Sequence, residues 1–412
     1  ADSVLKQGTP ITAEYRCSMG AHAPMEPQAA LAINGPEGGQ VWTATQYETS
    51  ARGRVAEALG LEPTQIEVIP TYLGGGFGRK IELPPVPSPA VEAAHLSRAV
   101  GAPVHVGWDR TEEMRDGFLR PLSHHRLSAV LTAEGRIEAM RHEQASDDAL
   151  AGAFPAPVAR ILGFDFGVTR GAQIFYDIAN KDTTAWRRTT PVPTGTWRGV
   201  GLMPNIFALE SFIDELAHAA GEDPVQFRLA HLPDDALGER MRAVLLAAAE
   251  RSGWGQSRVA GRAQGLACCN DGGPVVAEIA EVSVDQDSGL IRVHRVVAAV
   301  DCGRPINPDG AIAQVEGSIV MGTSATLQEE ITVEDGRIQA RNFDGYPLLR
   351  MADAPAVETI LLKAPDGKPR GLGEPAVGPI APAIGNAVFA LTGVRLRRLP
   401  MTKERVTAAL GL

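Results

Sequence analysis

The chain has 412 residues, 44% hydrophobic and 21% charged, the balance of an ordinary soluble globular protein with length for two or three domains. Its net charge is −10 and it has no long basic run, which argues against a nucleic-acid surface and says nothing about substrate. Its four cysteines, Cys17, Cys268, Cys269 and Cys302, lack C-x-x-C spacing, so neither an iron–sulfur cluster nor a structural zinc is expected within this chain.

In chain order, residues 40–80 alternate short apolar runs with turns and predict strands around one helix over 50–59, with 66–69 a short strand. Residues 89–100 read as a helix closed by Gly101, followed by strands at 104–108 and 126–131 and a turn at Glu134-Gly135. The clearest helix covers 205–220, with Leu209, Phe212, Ile213, Leu216 and Ala220 on one face and Gly221 as its stop. Asp223-Pro224 then caps another helix. A polar stretch at 252–264 is the expected domain boundary. Beyond it, two strands within 278–300 are joined by the turn Asp285-Gln286-Asp287-Ser288-Gly289, Asn307-Pro308 opens a helix reaching about Leu327, and a last helical pattern follows Pro379. Strands and helices mix without a regular βαβ period, so the expected class is α+β with mixed sheets and packed helices.

Two glycine-rich segments carry candidate chemistry. In Gly74-Gly75-Gly76-Phe77-Gly78-Arg79-Lys80, glycines expose backbone amides and permit close approach to something anionic or bulky. A dinucleotide fingerprint would open a helix with Gly-x-Gly-x-x-Gly, and a phosphate loop would follow Gly-Lys with Ser or Thr. Arg79, Ile81 and the prolines at 84, 85, 87 and 89 exclude both. A close-approach loop for a polyanion and an ordinary glycine-rich turn remain. In Gly371-Leu372-Gly373-Glu374-Pro375 a carboxylate sits between glycine and proline, either as a positioned group or as an idle Glu in an exposed turn. Cys268-Cys269 reads as small core packing. His124 and His125, on a strand, face opposite sides and are poor partners for one metal. No stretch reads as the roughly 20 apolar residues of a bilayer span, and the start, Ala1-Asp2-Ser3-Val4-Leu5-Lys6, has no signal-like core. Alanine at the first position suggests a processed or excised start, from which a targeting segment could have been lost, and leaves localisation open.

Five sets of residues stand in order: His22-Ala23-Pro24-Met25-Glu26-Pro27; the 74–80 loop; Thr196-Trp197-Arg198-Gly199-Val200-Gly201 leading into Glu210-Ser211-Phe212-Ile213-Asp214-Glu215-Leu216-Ala217; Asp301-Cys302-Gly303-Arg304-Pro305-Ile306-Asn307-Pro308 with Gln314-Val315-Glu316-Gly317; and the 371–382 run. Together they resemble the molybdenum-binding large subunit of the xanthine dehydrogenase and aldehyde oxidase family, most closely its isoquinoline 1-oxidoreductase-like branch. The resemblance implies molybdenum-cofactor-binding domains of the hydroxylase type, over 1–255 and 256–412. It places Gly75, Gly76, Phe77 and Gly78 against a molybdopterin, with Phe77 beside the metal's oxo group. Trp197, Gly199 and Gly373 are further cofactor contacts, and Gln314 hydrogen-bonds the pterin dinucleotide from the start of its helix. No residue of the chain is expected to ligate the metal. Arg198 occupies the active-site arginine position, where it orients a substrate carbonyl or ring nitrogen; a structural bridge between loops is its other reading. Glu374 takes the general-base position. In the family's reaction, water-derived oxygen is added to an aldehyde or N-heteroaromatic carbon, and the attacking oxygen must lose a proton that a fixed carboxylate can take.

The resemblance also implies partners. Electrons leave through 2Fe-2S clusters on a small subunit toward a cytochrome or other acceptor, and the pterin nucleotide is expected to be cytosine. The Met-Gly-Gln-Gly-like segment and hammerhead-like domain of complete large subunits are not found here, so the N-terminal portion is expected as a separate chain. A periplasmic or inner-membrane-associated location is the expectation. Gly20 stands where animal xanthine dehydrogenases carry a glutamine, so that role does not transfer. Cys17, in Tyr15-Arg16-Cys17-Ser18, is taken as a coincidental likeness to the copper-binding loop of carbon monoxide dehydrogenases. The rival reading is a non-catalytic relative that kept the fold, against which the joint retention of Glu374, Arg198 and the glycine loop speaks.

Overall fold

The computed structural model describes residues 1–82, 88–150, 165–256, 259–363 and 366–412. The prolines at 84, 85 and 87 lie outside the described residues. The largest sheet runs β15 (Arg398–Leu399), β1 (Ile11–Cys17), β6 (Ser123–Leu131), β7 (Ile137–Ser146), β8 (Asn180–Arg187). Its outer pairs are parallel and its inner pairs antiparallel. A second sheet orders β14 (Ala356–Leu362), β11 (Ile291–Asp301), β10 (Val275–Val284), β9 (Ala263–Asn270), with β14 parallel to β11. A third orders β4 (Ile66–Pro70), β3 (Gly38–Thr43), β2 (Ala29–Gly35), β5 (Val104–Gly107), with β4 parallel to β3. The short strands β12 (Val333–Glu334) and β13 (Arg337–Ile338) form a separate hairpin. Mixed sheets covered by helices are the α+β class that the sequence pattern implied.

The helix Leu202–Ala220 is the middle layer. Nearly every residue of it is buried, one side against β1 and β6 and the other against β9 and the helix Ile380–Thr392. It begins three residues before the position expected from periodicity, because Leu202 and Met203 are buried too and Pro204, in the first turn, gives up no intrahelical bond. Gly221, in the left-handed conformation at φ 71°, ends it. The 285–289 turn joins β10 and β11 as expected, with Asp285 accepting from the Ser288 amide. Asp223 caps Pro224–Ala230 by accepting from Val225 and Gln226.

Packing crosses the 255/256 division in both directions. The helix Ala236–Ser252 covers β10 and β11, while β15, near the C-terminus, pairs with β1. Contrary to the expectation that no stretch has that character, the run Pro375–Thr392 is long and apolar enough by composition to cross a membrane, but it lies in the core, 78% buried. The third sheet has its own small core, closed by the helices Glu48–Leu59 and Pro89–Val100. Its strand β4 delivers the chain into the 71–80 loop.

Candidate functional site

The 74–80 loop and the 196–201 turn are strapped together. The Arg198 amide donates to the Phe77 carbonyl (3.0 Å) and Thr196 Oγ1 to the Gly78 carbonyl (3.1 Å). His22 Nε2 meets the Thr196 carbonyl at 2.5 Å, tying in the 21–24 segment; burial pushes this imidazole down to about 3. Among the described residues only five non-glycine residues have positive φ, and three of them, Ala23 (45°), Phe77 (55°) and Val200 (50°), belong to these straps. Backbone strain of this kind persists only where surrounding contacts impose it, and it gathers at ligand sites.

Most of the glycine pattern answers to the chain's own packing. A Cβ on Gly74, Gly76 or Gly78 would come within 2.4 Å of Glu26, Gln46 or the Thr196 carbonyl, respectively. The Gly74 and Gly78 amides are likewise spent on Glu26 and Gln46. By contrast, the amides of Gly75, Gly76 and Phe77 make no hydrogen bond to another described residue. Phe77 is partly exposed, and Gly75 holds φ 94°. An apolar ring beside three unused amides is a fitting edge for a planar, hydrogen-bonding, anionic cofactor.

Glu374 is fixed at both oxygens. Oε1 accepts from the Gly199 amide (3.0 Å) and Oε2 from Arg170 Nη1 (2.5 Å). Arg170 is anchored in turn by Asp271, through Nε and Nη2 at 2.6 Å each. Burial alone would lower the pKa of Arg170, but Asp271 and then Glu374 more than offset it, so the guanidinium stays charged. The Glu374 side chain remains 40% exposed, open to an incoming group. An open cavity of about 1060 Å³ lies beside this cluster, with Thr169, Arg170, Lys181, Val200 and Asp271 in its wall. Arg170 and Asp271 were missed in the sequence, because Thr169-Arg170-Gly171 and the β9–β10 turn carry no motif.

Arg198 joins all the segments. Its amide holds Phe77, its Nε donates to the Gly373 carbonyl (2.6 Å), and Nη2 reaches both the carbonyl and Oε1 of Gln314 (3.1 Å each). Of its two expected roles, the bridge between loops is the one these contacts display. Burial lowers its pKa, partly opposed by Glu374. Gln314 stands in the second turn of the helix Pro308–Leu327, exposed, and not at the helix start where it was expected. Gly199 (φ 86°) donates its amide to the Glu374 carboxylate, and Gly373, the residue before Glu374, gives its carbonyl to Arg198. Trp197 requires a correction: its ring is buried, donating to the Ala21 carbonyl under the Arg120 guanidinium, so its side chain is core and cannot contact a cofactor. The large aromatic next to Arg198 fills the interior because the tight 197–202 turn directs it inward.

The four cysteines are buried and unpaired. Among the described residues no group of three His, Cys, Asp or Glu side chains is placed to hold a metal ion.

Residues 2–232 match the family model of a molybdopterin cofactor-binding domain, and residues 255–355 match a second model of the same description. The chain is 36% identical over 384 residues to the beta subunit of isoquinoline 1-oxidoreductase from Brevundimonas diminuta, covering 92% of this chain and 48% of that one. It is 34% identical over 420 residues to a subunit of nicotinate dehydrogenase from Pseudomonas putida, covering 95% of this chain and 34% of that one. It therefore spans about half or less of the length of these relatives. Among solved structures, quinoline 2-oxidoreductase from Pseudomonas putida 86 shares the fold with a TM-score of 0.85 at 17% identity, over 99% of this chain and 77% of that one.

Proposed function

The chain belongs to the molybdenum-binding subunits of the xanthine dehydrogenase and aldehyde oxidase family, and from that premise we propose that it is the catalytic C-terminal portion of a hydroxylase acting on an aldehyde or an N-heteroaromatic carbon. The observation that carries this reading is the carboxylate of Glu374. It is held by Gly199 and Arg170, half open to solvent, on a loop that Arg198 straps to the unused amides of 75–77. In this reading Gly75, Gly76, Phe77, Gly78, Gly199, Gln314 and Gly373 hold the molybdopterin, and Arg198 fixes the loops around it. When bound, the cofactor supplies a two-electron acceptor and activates water as the oxygen source. Glu374 then accepts, at a carboxylate oxygen, the proton that water gives up on becoming a nucleophile.

A partner chain that supplies the rest of the large subunit belongs to the same proposal. Met25, Tyr72, Leu73 and Phe77, all exposed and flanking the glycine loop, form the apolar face it would cover. A small subunit with 2Fe-2S clusters, a cytochrome or other acceptor, a cytosine nucleotide on the pterin, two cofactor domains at 1–255 and 256–412, and a periplasmic or inner-membrane-associated location complete the proposal.

The test is metal and pterin-nucleotide analysis of the complex purified natively through this chain, beside the variant Glu374→Gln. The expected result is about one molybdenum per chain in both, with turnover lost by about 10²–10⁴-fold in the variant. A fully assembled complex without molybdenum, or a variant with normal turnover, would overturn the reading.

A further inference from the structure

We infer that Arg170 is a positioning residue for Glu374, held in place by Asp271, so that the carboxylate is aimed from the other half of the chain; this rests on Glu374 being the base. The loop that carries Glu374 has glycine at 371 and 373 and cannot by itself fix a side chain. Two arginines from the region 2–232 grip it instead: Arg198 on the Gly373 carbonyl and Arg170 on the carboxylate.

Arg170 is itself fixed at both ends. Its planar fork meets the buried Asp271 carboxylate with two N–H groups, a geometry that leaves the guanidinium no free rotation. Its carbonyl accepts from the amide nitrogen of Asn205 (2.9 Å), which is fully buried on the first turn of the helix Leu202–Ala220. Nη1 therefore sits at a defined point, and with the Gly199 amide it gives Glu374 two fixed attachments. Each carboxylate oxygen keeps a further lone pair for an incoming proton donor.

Stability does not explain the arrangement. Arg170 and Glu374 are 31% and 40% exposed, and ion pairs so open to water contribute little to folding. Arg170 is shared between two carboxylates, with two of its N–H groups on Asp271 and one on Glu374, so the clamp orients Glu374 without being its dedicated counter-ion.

The test uses the natively purified complex with Arg170→Met, Arg170→Lys, Asp271→Asn and Glu374→Gln. Turnover and KM are measured, and Glu374 modification by a water-soluble carbodiimide is followed by peptide mass mapping with the exposed Glu316 as internal control. In Arg170→Met, kcat is expected to fall about 10²-fold with KM within about threefold and molybdenum content unchanged, the size expected for a displaced catalytic group. Added guanidinium should recover part of it. Arg170→Lys, which reaches only one carboxylate, and Asp271→Asn, which frees the fork, should fall between. Glu374 labelling should rise severalfold in Arg170→Met with Glu316 unchanged. Wild-type kcat and unchanged Glu374 labelling in Arg170→Met, beside an inactive Glu374→Gln, would overturn the inference and leave the base assignment standing. Full turnover in Glu374→Gln would instead overturn the base assignment and the inference with it, whatever the labelling shows.

Discussion

Glu210 lies at the centre of the seam between the helix Leu202–Ala220 and β9, and replacing it with leucine is a severe test of what holds the two halves together. The carboxylate is fully buried. It accepts from Arg228 Nε (2.8 Å), Tyr176 OH (2.6 Å) and the Cys268 amide (2.9 Å). Burial by itself would lower the pKa of Arg228, and Glu210 more than offsets it; the variant removes that partner, and because a guanidinium keeps its proton the charge is left in the interior. Stranding one member of a buried pair costs about 3–5 kcal/mol, and Asp214, at 3.9 Å and already bonded to Arg395, offers only partial replacement. We expect a loss of about 4 kcal/mol in Glu210→Leu, and in Glu210→Leu/Arg228→Leu a loss smaller by at least about 2 kcal/mol, since two apolar residues strand no charge. The assay is denaturant unfolding of the purified complex, followed by tryptophan fluorescence, at matched protein concentration. If single and double variants cost the same within about 0.5 kcal/mol, the ion pair does not carry the seam.

Two further outcomes are expected. His22 and His142 are buried neutral, with burial pushing them down to about 3 and about 4, and His125 is lowered as well. Their folded values lie below the roughly 6.5 of a free ring, so the unfolded chain binds more protons and stability falls as pH drops from about 6.5 toward 4. Each of the first two rings contributes at most about 2–3 kcal/mol of that loss by about pH 4.5, read as a falling thermal midpoint; a flat midpoint over this window would show the rings accessible. Trp197→Phe should cost about 1–3 kcal/mol through the lost bond to the Ala21 carbonyl and the emptied core space, while molybdenum content per folded chain stays unchanged. Loss of cofactor at full stability would return the indole to the binding surface.

What could be read from the chain beforehand follows from which interactions are local. Gly101 and Gly221 stop helices where expected because the left-handed turn that ends them is a property of a few neighbouring residues. The Asp285 turn and the caps at Asp223 and Asn307 are local in the same sense. Motif order brought out Glu374, Arg198 and the 74–80 loop. Sequence could not reveal that Gly74, Gly76 and Gly78 are small because Glu26, Gln46 and Thr196 lie against them, since those contacts come from distant segments. Nor could it reveal Arg170, whose partners lie 101 and 204 residues away. Trp197 was misplaced for a related reason: adjacency to Arg198 says nothing about which way a ring turns.

The same geometry bears on how activity depends on assembly within the chain. Both hydrogen bonds to the Glu374 carboxylate come from the region 2–232, through Gly199 and Arg170, and Arg198 of the same region holds the Gly373 carbonyl, whereas Glu374, Asp271 and Gln314 all lie beyond residue 255. The carboxylate is therefore in register only while the two regions are docked. That docking is set deeper, by Glu210 and Arg228 against β9; β9 in turn seats the helix Ile380–Thr392 of its own region at Gly265, where a Cβ would come within 2.1 Å of the Ala383 carbonyl. A substitution at the seam can thus lower kcat without touching a loop residue. Gly265→Ala, remote from Arg170 and Arg198, should displace the Ile380–Thr392 helix together with the Glu374 loop that leads into it, and reduce turnover in the fraction that remains folded. Full turnover in that fraction would mean that the two arginines hold the loop regardless of how the Ile380–Thr392 helix is seated.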